Sequence, residues 1–498
     1  MSFTVLRGGR VLDIAAGTAA PADILVEGDT IRQIGALGMP APEGATTIGA
    51  SRRLIHPGLV NAHTHSNGNL GKGMGDRWSL ELLLTAAPML NGYRGLDDLR
   101  LSAQIGAIEM MLKGCTACYD LFFEWPVPTR DGMATVASAY AELGMRAVIA
   151  PMVADRSFYE AIPGLAEALP PALRDKVATL RMAPGAQTIA AIRDAFSAWS
   201  VGRELVCPAV APTIPHHCSD EFILGCAGIA RDFDVGLHSH VAESKVQAVA
   251  SLKIYGKTQT AHLNELGVLG PHFTVAHGVW LDPDDMARLG DHGSSVAHNP
   301  GSNMRLGSGL ADARTMLERR VNVGIGTDGA TCADNQNMYE ALRLASFVSK
   351  VQGPEWQRWL TTREAALAAT EGSARALGFG DRIGRIAPGW KADLVMLDLD
   401  HPNWMPLNDP VNQLVHCEDG TAVDSVMIGG RMVVKDRRPV GVDLAQLRQR
   451  AEAARERLVA ANVDNRRLYE ALEPVVGSYC PGLARMPYHV HRYGARAE

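Results

Sequence analysis

His63-Thr64-His65 follows the apolar residues 58–60. In a strand, residues two apart face the same way, so both imidazoles project from one face at a strand's C-terminal end. Two imidazoles on one face are half of a metal site. A lone His-x-His is also common in cores and on surfaces. Four further strand-like runs end in the same chemistry: 235–240 in His238-Ser239-His240 with Glu243 just beyond, 273–277 in His277, 296–298 in His298, and 324–328 in Asp328. Each one alone reads equally as a hydrogen-bonded core histidine or a helix-capping aspartate. Five such strand ends on one rim are hard to reach by chance. Three imidazoles and a carboxylate suit Zn²⁺, or Fe²⁺ or Mn²⁺, better than the all-oxygen set preferred by Mg²⁺ or Ca²⁺.

These residues need a scaffold that brings strand ends to one rim. Residues 3–55 read as short strands broken by Gly turns. Residues 56–380 alternate apolar runs (147–149, 205–210, 235–238, 273–276, 295–298 and 321–325) with helix-like segments. The stretches 99–111, 220–232, 246–255 and 363–377 show the i, i+3, i+4 apolar spacing of amphipathic helices. Strand then helix, repeated about eight times over ~250–330 residues, predicts a (β/α)8 TIM barrel, whose active sites lie at the C-terminal ends of its strands. Residues 66–98 and 152–204 exceed a simple loop plus helix and predict lids or extra helices. After residue 381 strands and turns return at 392–398, then at 425–428 and 432–434 around Gly429-Gly430 as a hairpin. The expected fold class is therefore α/β, a barrel over 57–380 with a small β-sandwich built from 1–56 and 381–440. A helix over 443–473 and a tail complete the segment 441–498.

Composition narrows the function classes. Of 498 residues, 47% are hydrophobic and 20% charged, which supplies a large core and excludes global disorder. The net charge of −6 offers no basic excess for nucleic acid or an anionic membrane. No apolar run approaches the ~20 residues of a membrane span. Arg7, Arg10 and Asp13 interrupt the first apolar residues, against a signal peptide. Eight cysteines do not make a disulfide scaffold, and a cytoplasmic location is expected. Cys115 and Cys118 have CxxC spacing inside an apparent buried strand and read as buried thiols.

Longer motifs surround the candidate ligands. They are His56-Pro57-Gly58-Leu59-Val60-Asn61-Ala62-His63-Thr64-His65, His240-Val241-Ala242-Glu243-Ser244, Ala276-His277-Gly278-Val279-Trp280-Leu281, His298-Asn299-Pro300-Gly301-Ser302-Asn303, and Gly326-Thr327-Asp328-Gly329. With the late Gly389-Trp390-Lys391-Ala392-Asp393-Leu394 they make the chain resemble the amidohydrolase superfamily over about residues 3–440. The resemblance is to its branch of cytosine, guanine and S-adenosylhomocysteine deaminases and triazine hydrolases. It implies that His63, His65, His240 and Asp328 hold the metal and that Asp328 also takes a proton from the metal-bound water. It further implies that Glu243 shuttles a proton to the substrate and that His277 hydrogen-bonds the attacking hydroxide or developing oxyanion. A divalent metal lowers the pKa of its water to near ~7. A carboxylate three residues beyond His240 can turn back over the pocket as general acid/base.

No Lys ends strand four as a carboxylated bridge, so one metal per chain is expected. The branch's Pro-His-Ala-Pro appears as Pro212-Thr213-Ile214-Pro215, which places Thr213 at its histidine, with His216 and His217 nearby. Its Arg-Gly appears as Lys72-Gly73. Both departures weaken an S-adenosylhomocysteine substrate. Lys72, Trp78, Thr213, His216, His217 and His298 are the candidate substrate contacts. The implied reaction is metal-dependent hydrolysis of a non-peptide C–N bond in a small molecule, as deamination of an amino-substituted purine, pterin, pyrimidine or triazine. The alternatives are amide, urea or carbamate hydrolysis or dechlorination at the same site, and a non-catalytic barrel. A homo-oligomer is expected.

Overall fold

The computed structural model describes residues 2–494, so Met1 and the last four residues of the 441–498 tail lie outside the described residues. The chain opens with β1 (Phe3–Asp13), β2 (Thr18–Glu27), β3 (Thr30–Gly35), β4 (Thr46–Gly49) and β5 (Arg53–Pro57). Nine parallel strands or strand fragments follow: β6 (Leu59–Thr64), β7 (Cys115–Phe122), β8 (Arg146–Val153), β9 (Val206–Pro208), β10 (Ala211–Pro212), β11 (Leu237–Val241), β12 (Phe273–His277), β13 (Ser295–His298) and β14 (Asn322–Ile325). Helices separate most of them. The last strands are β15 (Leu394–Asp398), β16 (Val423–Ile428), β17 (Arg431–Lys435) and β18 (Arg438–Pro439).

The two chain ends meet through β15, which runs antiparallel to β5 with Val395 opposite His56. Their ladders make one sheet in the order β18-β17-β16-β15-β5-β1-β2-β3, with β4 beside β1. One of its clusters contains Leu6, Ile24, Ile31, Leu394 and Met396, all nearly inaccessible. The two chain ends are thus joined by their hydrogen bonds into one continuous ladder. The hairpin around Gly429-Gly430 is present as β16 and β17.

The central strands form two parallel arcs, β10-β8-β7-β6 with β9 beside β8, and β11-β12-β13-β14. Strands β6 and β7 are buried along their whole length, as helix-covered parallel strands must be. The arcs meet at a Val210–Leu237 bridge, and His240 N donates to Thr213 O at 2.8 Å. At the opposite edge Asp328 N donates to His63 O at 2.9 Å, beyond the end of β14. The ladders do not run continuously round a closed ring. The break on one side is the short, interrupted pair β9 and β10, and on the other the early end of β14. Gly326 permits the approach of β14 to β6: a Cβ there would lie 2.4 Å from Asn299 Oδ1 and 2.9 Å from both N and O of His63.

The two long crossings contain extra helices. After β6 come a 3₁₀ turn (Ser66–Gly71) and the helices Leu80–Asn91 and Leu96–Leu112. Between β8 and β9 lie Phe158–Ala161, Leu165–Ala168, Pro171–Val177 and Gly185–Ser197. The helix expected over 443–473 is two, Leu444–Ala461 and Val463–Ala484, parted at Asn462, whose Nδ2 donates to Gly92 O at 3.0 Å. Among the described residues, no helix is long and apolar enough to cross a membrane.

Candidate active site

Strand ends set the position of each reactive side chain. His63 is the penultimate residue of β6 and His65 lies one residue beyond it. His240 lies near the end of β11, and His277 ends β12. Asp328 follows β14. Ala242, His277 and Asp328 have φ of +52°, +71° and +67°. Non-glycine residues rarely adopt this region, and three together at strand ends mark backbone held in place by its surroundings.

The side chains converge. His63 Nε2 and His65 Nε2 lie 3.5 and 3.2 Å from Asp328 Oδ1. His240 Nε2 lies 3.3 Å from His65 Nε2. Backbone carbonyls fix two of the rings: Leu121 O receives His65 Nδ1 and Thr213 O receives His240 Nδ1, each at 2.7 Å. The opposite nitrogens therefore face the cluster. Ser302 Oγ donates to Asp328 Oδ2 at 2.6 Å, and Gln336 Nε2 donates to its carbonyl at 3.0 Å. Burial opposes ionisation of Asp328, but the contacts with His63 and His65 outweigh it and hold the carboxyl well below the ordinary range. Burial pushes the His63 imidazole down to about 3. Burial, then the neighbouring imidazoles, also holds His240 well below its ordinary range.

Burial lowers the His65 imidazole too, but the hydrogen bond and charge of Asp328 outweigh it and raise this group. Imidazoles around an ionised carboxylate are a donor set for a divalent cation. The ligand atoms of His63, His65 and His240 lie within 4.8 Å of one another, as do those of His63, His277 and Asp328. Both ring nitrogens of His63 are buried without a hydrogen-bond partner. Orphaned buried polar atoms are rare, and a cation would satisfy one of these. The residues present therefore fit a metal ion.

Glu243 and His277 stand beside the cluster. His277 Nδ1 meets Asn303 Oδ1 at 2.8 Å, while its Nε2 has no hydrogen-bond partner. Burial, then the negative charges of Asp328 and Glu81, pushes the Glu243 carboxyl well above its ordinary range. A cavity of about 120 Å³ opens here. Its floor is His65, His240, Glu243, His277 and Asp328, and its far wall comes from the helix Leu80–Asn91.

The structure thus brings His63, His65, His240, Asp328, Glu243 and His277 together. Of the candidate substrate contacts, Thr213 lines the cavity. Lys72 is ion-paired with Glu109. Trp78 is buried with Nε1 donating to Tyr469 Oη at 2.7 Å. His216 meets Gln259 at 2.7 Å, His217 packs near Phe158, and His298 is buried with neither nitrogen partnered. These five do not line the cavity. The long crossing 66–98 does contribute to it, through Asn67 and the leucines of its helix rather than through Lys72 or Trp78. Ser302 and Asn303, which hold Asp328 and His277, carry no spacing signal of their own, although both fall within the motif that begins at His298.

The sequence pattern of the amidohydrolase family matches residues 54–433. The chain belongs to the amidohydrolase family. It is 31% identical over 455 residues to a 5'-deoxyadenosine deaminase of Methanothermobacter thermautotrophicus, covering 90% of this chain and 97% of the relative. It is 32% identical over 465 residues to an 8-oxoguanine deaminase of Pseudomonas aeruginosa, covering 92% and 100%. Among solved structures, an atrazine chlorohydrolase of Arthrobacter aurescens TC1, complexed with zinc, superposes with a TM-score of 0.80 at 26% identity, covering 91% of this chain and 100% of that one. This amidohydrolase is a hydrolytic enzyme acting on C–N bonds.

Proposed function

We propose that this amidohydrolase deaminates an amino-substituted N-heteroaromatic, a purine, pterin, pyrimidine or triazine, with release of ammonia. The observation that carries the reading is the convergence of Glu243, His277 and Asp328 beside the imidazole cluster, beneath a cavity with an apolar far wall. A flat ring fits between such a wall and such a floor. The names of the deaminase relatives support the same chemistry.

His63, His65, His240 and Asp328 would hold one divalent ion, zinc in this reading, with Fe²⁺ and Mn²⁺ also compatible with the donors. Such an ion supplies Lewis acidity and hydroxide at neutral pH. Asp328, kept ionised, accepts a proton from the attacking water. With Nδ1–H donating to Asn303, neutral His277 presents a bare Nε2 that accepts the O–H of the attacking group and orients it. Glu243, its carboxyl raised by burial, delivers its proton to the ring nitrogen and takes one back from the added hydroxyl, and Asp328 passes the water proton to the leaving nitrogen. A C–O bond forms, the C–N bond breaks, and one water proton ends on ammonia. In the same reading residues 57–380 are one (β/α)8 barrel, 1–56 and 381–440 pack as its small β-sandwich, and 441–498 is an added helix and tail. The eight unpaired cysteines fit a reducing cytoplasm.

The test is a panel of amino-purines, pterins, pyrimidines and triazines with the metal-loaded protein, assayed for ammonia. Chloride from a chlorotriazine, or amine from amides, ureas and carbamates, in the absence of ammonia would favour the alternative chemistry. No product from any of them would contradict both.

A further inference from the structure

The far wall of the cavity is apolar except at one place. The helix Leu80–Asn91 presents Leu80, Leu83, Leu84 and Leu90, and Asn67 lines the cavity beside its last residue, Asn91. Asn91 Nδ2 donates to the carbonyl of Ala87 at 3.2 Å. A carbonyl only accepts, so the Asn91 amide has one orientation, with its oxygen turned toward Asn67. That oxygen accepts from Asn67 Nδ2 at 3.0 Å. The relay leaves Asn67 Oδ1 buried and without a partner. Arg94 holds the backbone beneath it, donating to Asn67 O and, through Nη2, to Leu90 O at 2.7 Å. Asn67 lines the cavity, and its acceptor is buried there in a fixed orientation without a partner among the described residues. Burying it unsatisfied is unfavourable, and a ligand N–H removes the deficit. Away from Glu243, Asp328 and the histidines, no charged side chain among the described residues lines the cavity.

We infer that Asn67 is a specificity-determining residue: its Oδ1 accepts a hydrogen bond from a substrate N–H other than the amino group that is displaced. This rests on the deamination reading of the same cavity and narrows its substrate class. The N–H belongs to a second exocyclic amino group, and the substrate is a compact N-heterocycle without a phosphate or carboxylate.

The experiment compares matched probes on the metal-loaded protein. One pair is 2,6-diaminopurine and the same ring with its 2-amino group replaced by dimethylamino. The other is diamino-1,3,5-triazine and its mono-dimethylamino counterpart. Asn67→Leu keeps the size of the side chain and removes the acceptor. The wild type should favour the diamino member in kcat/KM, and Asn67→Leu should reduce that preference ~10- to 100-fold. The dimethylamino member should change only a few-fold, so the bulk of the methyl groups cancels in the comparison. An unchanged preference, or an equal loss on both members, overturns the inference. If Asn67→Leu does not fold, Asn67→Ala carries the same comparison. If no probe releases ammonia, the deamination reading fails for these rings, and calorimetric Kd values for the same pairs decide about Asn67. The same shift in the Kd ratio supports it; equal Kd values or no binding overturn it.

Discussion

Glu243 Oε2 and His277 Nε2 face each other at 3.7 Å, and the same nitrogen lies 3.7 Å from Asp328 Oδ2. One imidazole thus stands between a carboxyl that burial pushes well above the ordinary range and a carboxyl that its histidine neighbours hold well below it. Environments that push two carboxyl groups apart assign acid and base roles to them.

Glu243→Gln keeps the volume and removes the proton. It should lower kcat ~10²- to 10⁴-fold, with metal content and Tm close to wild type. Normal kcat at full metal occupancy would contradict the proton-carrier role. A lowered Tm with normal kcat per folded chain would make Glu243 a loop-holding residue.

Asn303 fixes the His277 ring through Nδ1. Asn303→Leu removes this anchor and should lower kcat ~10- to 100-fold, the usual cost of losing an outer partner of an active-site imidazole. Asn303→Asp keeps an acceptor and should recover much of the loss. Equal kcat in both variants and the wild type would remove Asn303 from the mechanism.

The meeting of β14 with β6 depends on Gly326. A methyl group there meets the His63 backbone, which cannot yield as a flexible side chain does. Gly326→Ala should cost ~1–3 kcal/mol of stability and lower the metal content, as read by thermal unfolding and elemental analysis. Gly49→Ala, with open space around its Cβ position, is the control and should leave metal content unchanged.

Much of this site was legible because a strand has a period of two. His63 and His65 at i and i+2, and the His or Asp endings of β11, β12 and the run beyond β14, report a shared rim without any structure. The contacts of Lys72 and Trp78 were not legible. Both lie in a long crossing, where spacing says nothing about direction, and their actual partners Glu109 and Tyr469 are 37 and 391 residues away. His216 and His217 follow β10 closely, but a short 3₁₀ turn, Pro215–His217, carries them away from the cavity. Asn67 gave no signal, because a carboxamide in a Gly-rich stretch becomes meaningful only when its partners are known. The apolar run at 321–325 ends with β14 at Ile325, whereas the strand-like run read on to Asp328 continues past the paired residues.

A stability test stands apart from catalysis. Burial pushes the Asp285 carboxyl up to about 6, with Asp282 adding to the shift and Thr258 and Arg288 opposing it. Its Oδ1 accepts from Thr258 Oγ1 at 2.6 Å, while Oδ2 has no partner. A raised pKa means that the folded state holds the proton more tightly than the unfolded chain, where Asp titrates near ~3.9. The resulting stability is full below the unfolded pKa and lost as pH rises through about 6. Asp285→Asn is neutral throughout, so its Tm should gain on the wild type between about pH 4 and pH 8. A Tm difference independent of pH would contradict this.

The central claim, that a metal held by His63, His65, His240 and Asp328 drives release of ammonia from an amino-heterocycle, is tested most directly by titration of the apo-protein. Chelator-treated protein is given zinc in steps, with bound metal and ammonia production measured on the same samples. Activity should rise in proportion to zinc, level off at one ion per chain, and be absent in Asp328→Asn at any zinc concentration. Full ammonia release from the metal-free protein, or activity that appears only with a second bound ion, would contradict the account.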